Sequence, residues 1–324
     1  MITGVCQRLL TANVKLFPMK ALWFVCNFLL GLLALGGCGQ SRQAEEYVPQ
    51  YSQTPPTSSA RHEYVFAVHP LHNPERLHEM FGPIMDYLDE NTPGAVFRLE
   101  ASRDYAAFNE KLYGRAFDFA LPNPYQTVMA LKHGYRVFGK MGDDENFRGI
   151  ILVRRDSPVQ NVSDLKGQAV SFPAPTALAA TMLPQYFLHS LGLDVMRDVE
   201  IRYVGSQESS MMNVYLGNVA AGATWPPPWA AFSRERPDVA EALKVMWVTE
   251  MLPNNSLVVR DDVAADIAGQ VEKLLLGLHE HAQGQAWLEK MALSRFEPAT
   301  SATYEPVRAF LRRFNDEVRP VELP

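Results

Sequence analysis

Between Glu63 and Val263 the chain switches again and again from a short apolar run to an amphipathic stretch, and that alternation narrows the available folds more than any other feature. Apolar runs at Glu63–Val68, Ala95–Leu99, Phe117–Leu121, Tyr135–Met141, Gly149–Val153, Ala169–Phe172, Val199–Val204, Ala220–Thr224, Leu243–Val248 and Leu257–Val259 predict strands. Helical spacing separates them. Leu77, Phe81, Ile84 and Leu88 mark a helix over Pro74–Asn91 with Pro83 as a kink, and Ser102 caps a helix carrying Tyr105, Phe108 and Leu112. Pro124 opens another helix. Val162–Gly167 predicts a helical turn, Pro175–Leu191 a helix closed by Gly192, and Gln207–Leu216 a further helix. Pro226-Pro227-Pro228 starts one where proline is tolerated, and the chain from Val263 onward reads as mostly helical.

Such alternation indicates an α/β protein in layers. Tyr113–Ala120 closes a helix and opens a strand, and Leu216–Ala223 repeats the pattern later. Two similar lobes, each a mixed sheet flanked by helices, would produce that echo. Hydrophobic residues at 47% and charged residues at 20% fit a globular chain, and a net charge of -6 argues against a nucleic-acid partner.

The N-terminus reads as a targeting segment. Residues 1–38 carry Arg8, Lys15 and Lys20 and no acid, then an apolar run from Ala21 to Leu35 that ends in Leu35-Gly36-Gly37-Cys38. Small residues before the cysteine match a lipoprotein signal-peptidase site, so Cys38 would take lipid, palmitate included, on its sulfur and become the new N-terminus. An uncut N-terminal membrane anchor is the alternative, and Met19 is an alternative start to Met1. Three of the 30 basic residues and none of the 36 acids leave with the segment, so the mature charge moves from -6 to -9. Cys6 and Cys26 leave too, so the exported domain holds neither a disulfide nor a thiol catalyst. Residues 39–62, rich in Gln, Ser, Thr and Pro, read as a disordered tether.

An exported lipoprotein of two α/β lobes suggests a solute-binding protein, and local motifs are more specific. Ser102-Arg103-Asp104-Tyr105-Ala106-Ala107 resembles the S-x-x-Y helix start of the phosphonate/phosphite-binding proteins of ABC transporters. Asp118–Pro124 resembles their D-F-A-W-x-G-P, Ile151–Pro158 with Asp164–Gly167 their I-x-V-x-x-D-S-x and D-L-K-G, Gly205–Ser210 their G-S-H-D-x-S, and Pro253–Asp261 their returning segment. The resemblance runs over residues 63–315. It implies a two-lobed periplasmic-binding-protein (venus-flytrap) fold that closes on a ligand about a hinge. The implied first lobe is 63–148 plus 250–318, and the second is 149–249.

Departures from the family pattern fall on its ligand contacts. The family holds its oxyanion with Ser-Thr-Ser at a helix N-terminus, where this chain has Ala177-Leu178-Ala179. The family histidine falls on Gln207 and a buried family aspartate on Ala220, while Tyr105 is kept. Each lost hydroxyl donor forfeits about 1 kcal/mol or more. The resemblance therefore implies a degenerate oxyanion site in a more apolar and aromatic cleft. Tyr105, Asn123, Tyr125, Thr176, Gln207, Trp225 and Trp229 are the candidate ligand-binding residues. Tyr105 and the tryptophans would pack on the ligand, and Asn123, Thr176 and Gln207 would supply hydrogen bonds. Phe147, Met211 and Met212 lie near other cleft positions. Several have a structural alternative: Tyr105, Met211 and Met212 as core, the tryptophans as a plug in the second lobe, Gln207 as a helix-start group, and Asn123 as a turn former.

His69 and His72 form a His-x-x-His pair in a loop that would face the cleft, but no acid or cysteine completes a metal set, so no metal is expected. No catalytic motif appears, so the chain is expected to be neither an enzyme nor a cofactor carrier. The expected partners are a small-molecule ligand and a membrane permease of an ABC transporter. A sensor function towards a membrane kinase, or carriage of an apolar ligand such as a lipid or sterol, is the alternative. Gly39 after Cys38 matches the pattern sorted to the outer membrane, and a monomer is the family expectation.

Overall fold

Residues 61–322 are described by this computed structural model. The signal segment, Cys38 and the tether up to residue 60 lie outside them.

The strands are β1 (His62–Val68), β2 (Ala95–Ala101), β3 (Phe119–Leu121), β4 (Tyr135–Met141), β5 (Arg148–Arg154), β6 (Ala169–Phe172), β7 (Glu200–Tyr203), β8 (Ala221–Thr224), β9 (Leu243–Met251), β10 (Ser256–Arg260) and β11 (Phe296–Pro298). They form two mixed sheets, ordered β11-β4-β10-β3-β1-β2 and β7-β6-β8-β5-β9. In the first sheet β1 runs parallel to β2 and β3, and β10 is antiparallel to β3 and β4. In the second, β6 is parallel to β7 and β8, and β5 is antiparallel to β8 and β9. The chain leaves the first sheet between Met141 and Arg148 and returns between Met251 and Ser256. Two crossings joining two lobes are the covalent basis of a hinge.

The helices are α1 (Pro74–Asn91), α2 (Tyr105–Tyr113), α3 (Pro124–Ala130), α4 (Leu183–Ser190), α5 (Gln207–Tyr215), α6 (Pro226–Glu235), α7 (Pro237–Glu241), α8 (Ala265–Leu276), α9 (Ala282–Lys290) and α10 (Glu305–Glu317). α1 shows why they form. Asn73 accepts a bond from Arg76 N at 2.9 Å, Pro74 occupies the first turn, and Leu77, Phe81, Ile84 and Leu88 bury one stripe on the sheet. None of the described helices is long and apolar enough to cross a membrane.

Three local expectations change. Asp104, not Ser102, caps α2, its Oδ1 accepting from Ala107 N at 2.8 Å; a carboxylate two residues nearer the helix takes the position. The helix expected over Pro175–Leu191 begins only at Leu178, as a π-helical turn over Leu178–Met182 that leads into α4. The mostly helical C-terminal region contains β11, which pairs antiparallel with β4, Phe296 opposite Met141.

The π turn has a close neighbour in β5. A Cβ at Gly149 would sit 2.6 Å from Ala179 O and 2.7 Å from Pro184 Cδ. Gly149→Ala should therefore push the turn off the sheet and cost about 1–3 kcal/mol. A urea unfolding midpoint unchanged from the parent would refute that contact.

Candidate functional site

Loops and helix starts from both sheets converge on one cavity. The loop after β1 brings His69, the start of α2 brings Tyr105, and the N-cap of α3 is Asn123. Phe147 and Asn255 come from the two crossings. From the second lobe come Ala177 to Ala180 at the π turn, Gln207 at the start of α5, and Trp225 at the N-cap of α6.

Polar side chains tie the two lobes together here. Asn123 Nδ2 donates to Thr176 O at 2.9 Å, while Asn123 Oδ1 caps Gln126 N at 3.0 Å. Gln207 Nε2 donates to the Tyr105 hydroxyl at 3.4 Å, and Gln207 Oε1 accepts from Thr224 Oγ1 at 2.9 Å. His69 Nδ1 lies 2.8 Å from Leu121 O, which can only accept, so Nδ1 carries the proton and Nε2 is an acceptor. Burial pushes the His69 imidazole down to about 4 and the Tyr105 phenol up to about 12, so both are neutral at neutral pH. Trp225 and Phe147 meet edge to face with centroids 5.5 Å apart. Asn255 Oδ1 is buried without a partner.

The space left is about 10 Å³, enough for roughly one water molecule. Its lining contains no lysine, arginine, aspartate or glutamate, and methyl groups of Ala177, Ala179 and Ala180 stand at the helix start. Among the described residues no cluster of histidine, cysteine and acid could hold a metal ion.

Of the seven residues nominated from sequence, Tyr105, Asn123, Gln207 and Trp225 line this cavity. Thr176 is outside the lining; its carbonyl accepts from Asn123, and no side-chain cap forms at the π turn. Tyr125 is buried one position inside α3 and outside the lining, where Glu322 and Arg319 act on its hydroxyl. Trp229 stacks on Phe232 at 6.3 Å and packs on the second-lobe core with Met212, and Met211 is buried in that same core. The sequence does not single out Asn255, and it offers His69 only as half of a metal pair. Asn255 lies within the Pro253–Asp261 segment and His69 within a His-x-x-His spacing, but neither pattern marks the residue as a cavity group.

A family model described as "ABC transporter, phosphonate, periplasmic substrate-binding protein" matches residues 66–304. The chain belongs to this family. Among solved structures, a binding-protein component of an ABC phosphonate transporter from Pseudomonas aeruginosa superposes with a TM-score of 0.72 at 15% identity, covering 79% of this chain and 88% of that one. A Prochlorococcus marinus protein in complex with methylphosphonate superposes at 0.71 with 18% identity, covering 78% and 98%. A Xanthomonas citri protein bound to chloride follows at 0.63 and 17%, covering 79% and 99%. At these identities the structures establish the shared two-lobed fold. The phosphonate-binding family is one of substrate-binding proteins that serve ABC transporters, not a family of enzymes.

Proposed function

We propose that this chain is a lipid-anchored envelope solute-binding protein in which the family's oxyanion site has been dismantled. The observation that carries the proposal is the cavity at the lobe interface: about 10 Å³, uncharged, and walled by Trp225, Phe147 and the methyl groups of Ala177 to Ala180. A phosphonate needs room and several donors. Here the hydroxyl donors are replaced by alkyl groups, the carboxamide N–H groups of Asn123 and Gln207 are already spent on bonds between the lobes, and Gln207 Oε1 is taken by Thr224 within the second lobe. Tyr105 and Trp225 would pack against whatever enters when the lobes part, and Gln207 and Asn123 would reform bonds on closure.

Cys38 would carry the lipid, with the tether expected over residues 39–62, whose last residue His62 already starts β1, and a membrane permease as the partner receiving the closed form. Mass spectrometry of the membrane-extracted protein tests the anchor. The expected N-terminal peptide begins at a di- or triacylated Cys38, and an unmodified peptide containing residues 1–38 would exclude it.

The ligand class is tested by thermal shift on the full chain in detergent, setting phosphate, phosphite and methylphosphonate against amines, amino acids and aromatic acids. A true ligand at about 100 times its Kd should add roughly 2.7 kcal/mol. The expected gain comes from a compound without a phosphorus oxyanion, and a gain from methylphosphonate alone would overturn the proposal.

A further inference from the structure

The side-chain polar groups lining the interlobe cavity divide into those already paired and those left over. Asn123 Nδ2 and Gln207 Nε2 are occupied by Thr176 O and the Tyr105 hydroxyl, and Gln207 Oε1 by Thr224. Asn255, fully buried in the lining, donates from Nδ2 to Met141 Sδ at 3.3 Å. A thioether sulfur can only accept, so this pairing fixes the orientation of the carboxamide, and Oδ1, its other end, has no partner. His69 is fixed in the same way. Its Nδ1 donates to Leu121 O at 2.8 Å, which leaves Nε2 as an acceptor, and among the described residues nothing donates to it. Burial, which pushes the imidazole down to about 4, keeps it in that role at neutral pH.

The two leftover side-chain groups are therefore both acceptors. The space between the lining residues is about 10 Å³, room for roughly one water, so a group that fills it meets both. An oxyanion would set a third acceptor against them, whereas an N–H or O–H group would satisfy them. From the second lobe, the backbone N–H groups of Leu178, Ala179 and Ala180 open the π turn with no acceptor among the described residues, and these residues also line the space. No charged side chain lines it, so an ion would be buried there without a counter-charge, a cost that a neutral ligand escapes.

We infer that this site takes a small uncharged carboxamide, with Asn255 and His69 as the residues that select it. The inference rests on the proposed loss of the oxyanion site. The ligand's NH2 group would donate to Asn255 Oδ1 and His69 Nε2, its carbonyl would accept from the N–H groups of the π turn, and its alkyl part would lie against Trp225 and Phe147. A carboxylate of the same shape has no proton for the two acceptors, and an amine has no carbonyl for the turn. The ligand would enter as the lobes part, and its contacts with both lobes would favour closure around it.

The probe is acetamide, titrated calorimetrically into the full chain in detergent beside acetate, acetone and isopropylammonium, which share its branched shape. Acetate and acetone lack the N–H groups, and isopropylammonium lacks the carbonyl. Acetamide should give a saturable heat with a Kd of about 1 mM or below, within reach of about four non-hydrogen atoms. Each of the other three should bind at least about tenfold more weakly. Asn255→Leu and His69→Phe each remove one acceptor with little change in volume and should weaken acetamide about tenfold. In the second variant Leu121 O keeps its bond from the residue 69 backbone N–H, 3.1 Å in the parent. No saturation by about 10 mM acetamide would overturn the inference. So would acetate or acetone binding as tightly as acetamide, or acetamide affinity unchanged in both variants. If a variant does not fold, the four ligands on the parent decide. If acetamide and methylphosphonate are both inert, the loss of the oxyanion site stands and the inference alone falls. Methylphosphonate binding would sink the proposed function itself.

Discussion

Trp225→Ala is expected to lower the unfolding free energy by about 3–5 kcal/mol, the usual cost of deleting a buried large aromatic ring. Trp225 is 3% exposed, packs edge to face on Phe147, and belongs to the main core although it sits at the lobe interface. Its removal leaves an indole-sized hole beside Phe147 and the Ala177–Ala180 turn. Free indole should refill that hole and raise the melting temperature of the variant but not of the parent, since an apolar cavity of such size takes up a matching ring. Trp229→Ala should cost clearly less, because Trp229 is only half-buried and packs on the edge of the second-lobe core. A Trp225→Ala variant within about 1 kcal/mol of the parent would show that the ring does not hold the lobes together.

Stability should also fall as pH drops from about 6.5 to about 4, by up to about 3 kcal/mol from His69 alone. The sign follows from burial. His69 is held neutral in the folded chain with its pKa pushed down to about 4, whereas the unfolded chain takes the proton near 6.5. Between those values the unfolded state binds more protons, so acid favours it. His72, pushed down to about 3 by burial and then by the charge of Arg76 and by His69, acts in the same direction. The carboxylates with lowered pKa, such as Asp164 beneath its backbone N–H donors and Glu297 beside Lys140, lose their contribution only at lower pH, so the upper window belongs to the histidines. Urea unfolding of the parent and of His69→Gln between pH 4 and 7 checks this. The variant should show a flatter profile that keeps the slope contributed by His72, and parallel profiles would rule out His69 as a source.

The architecture is legible in the alternation of strands and helices, because buried parallel strands such as β1 and β6 read as apolar runs and helices such as α1 as stripes. What escapes is set by partners distant in sequence. β11 is three residues ending in Pro298, too short to show a period, and it is a strand only because β4 offers it an edge. The π turn at Leu178 has an ordinary helical composition; its displacement depends on β5 and Gly149 packed against it. The site follows the same rule. Tyr105 and Gln207 could be nominated because each begins a helix in a motif. Asn255 lies in a family-like segment, Pro253–Asp261, that does not single it out, and it joins the cavity only through the return crossing between the sheets. Trp229 and Tyr125 show the converse, since proximity in sequence to Trp225 and Asn123 places neither beside the cavity. Helix periodicity turns successive residues to different faces.

Calorimetric titration of methylphosphonate into the full chain most directly tests the claim that the family's scaffold persists without its oxyanion site. With an uncharged cavity of about 10 Å³ at that position, no saturable heat is expected up to about 1 mM ligand, a bound of roughly -4 kcal/mol on the binding free energy. Saturation with a Kd of about 1 μM, which corresponds to roughly -8 kcal/mol, would contradict it, because the backbone N–H groups of the Leu178 turn would then suffice where the hydroxyls are gone.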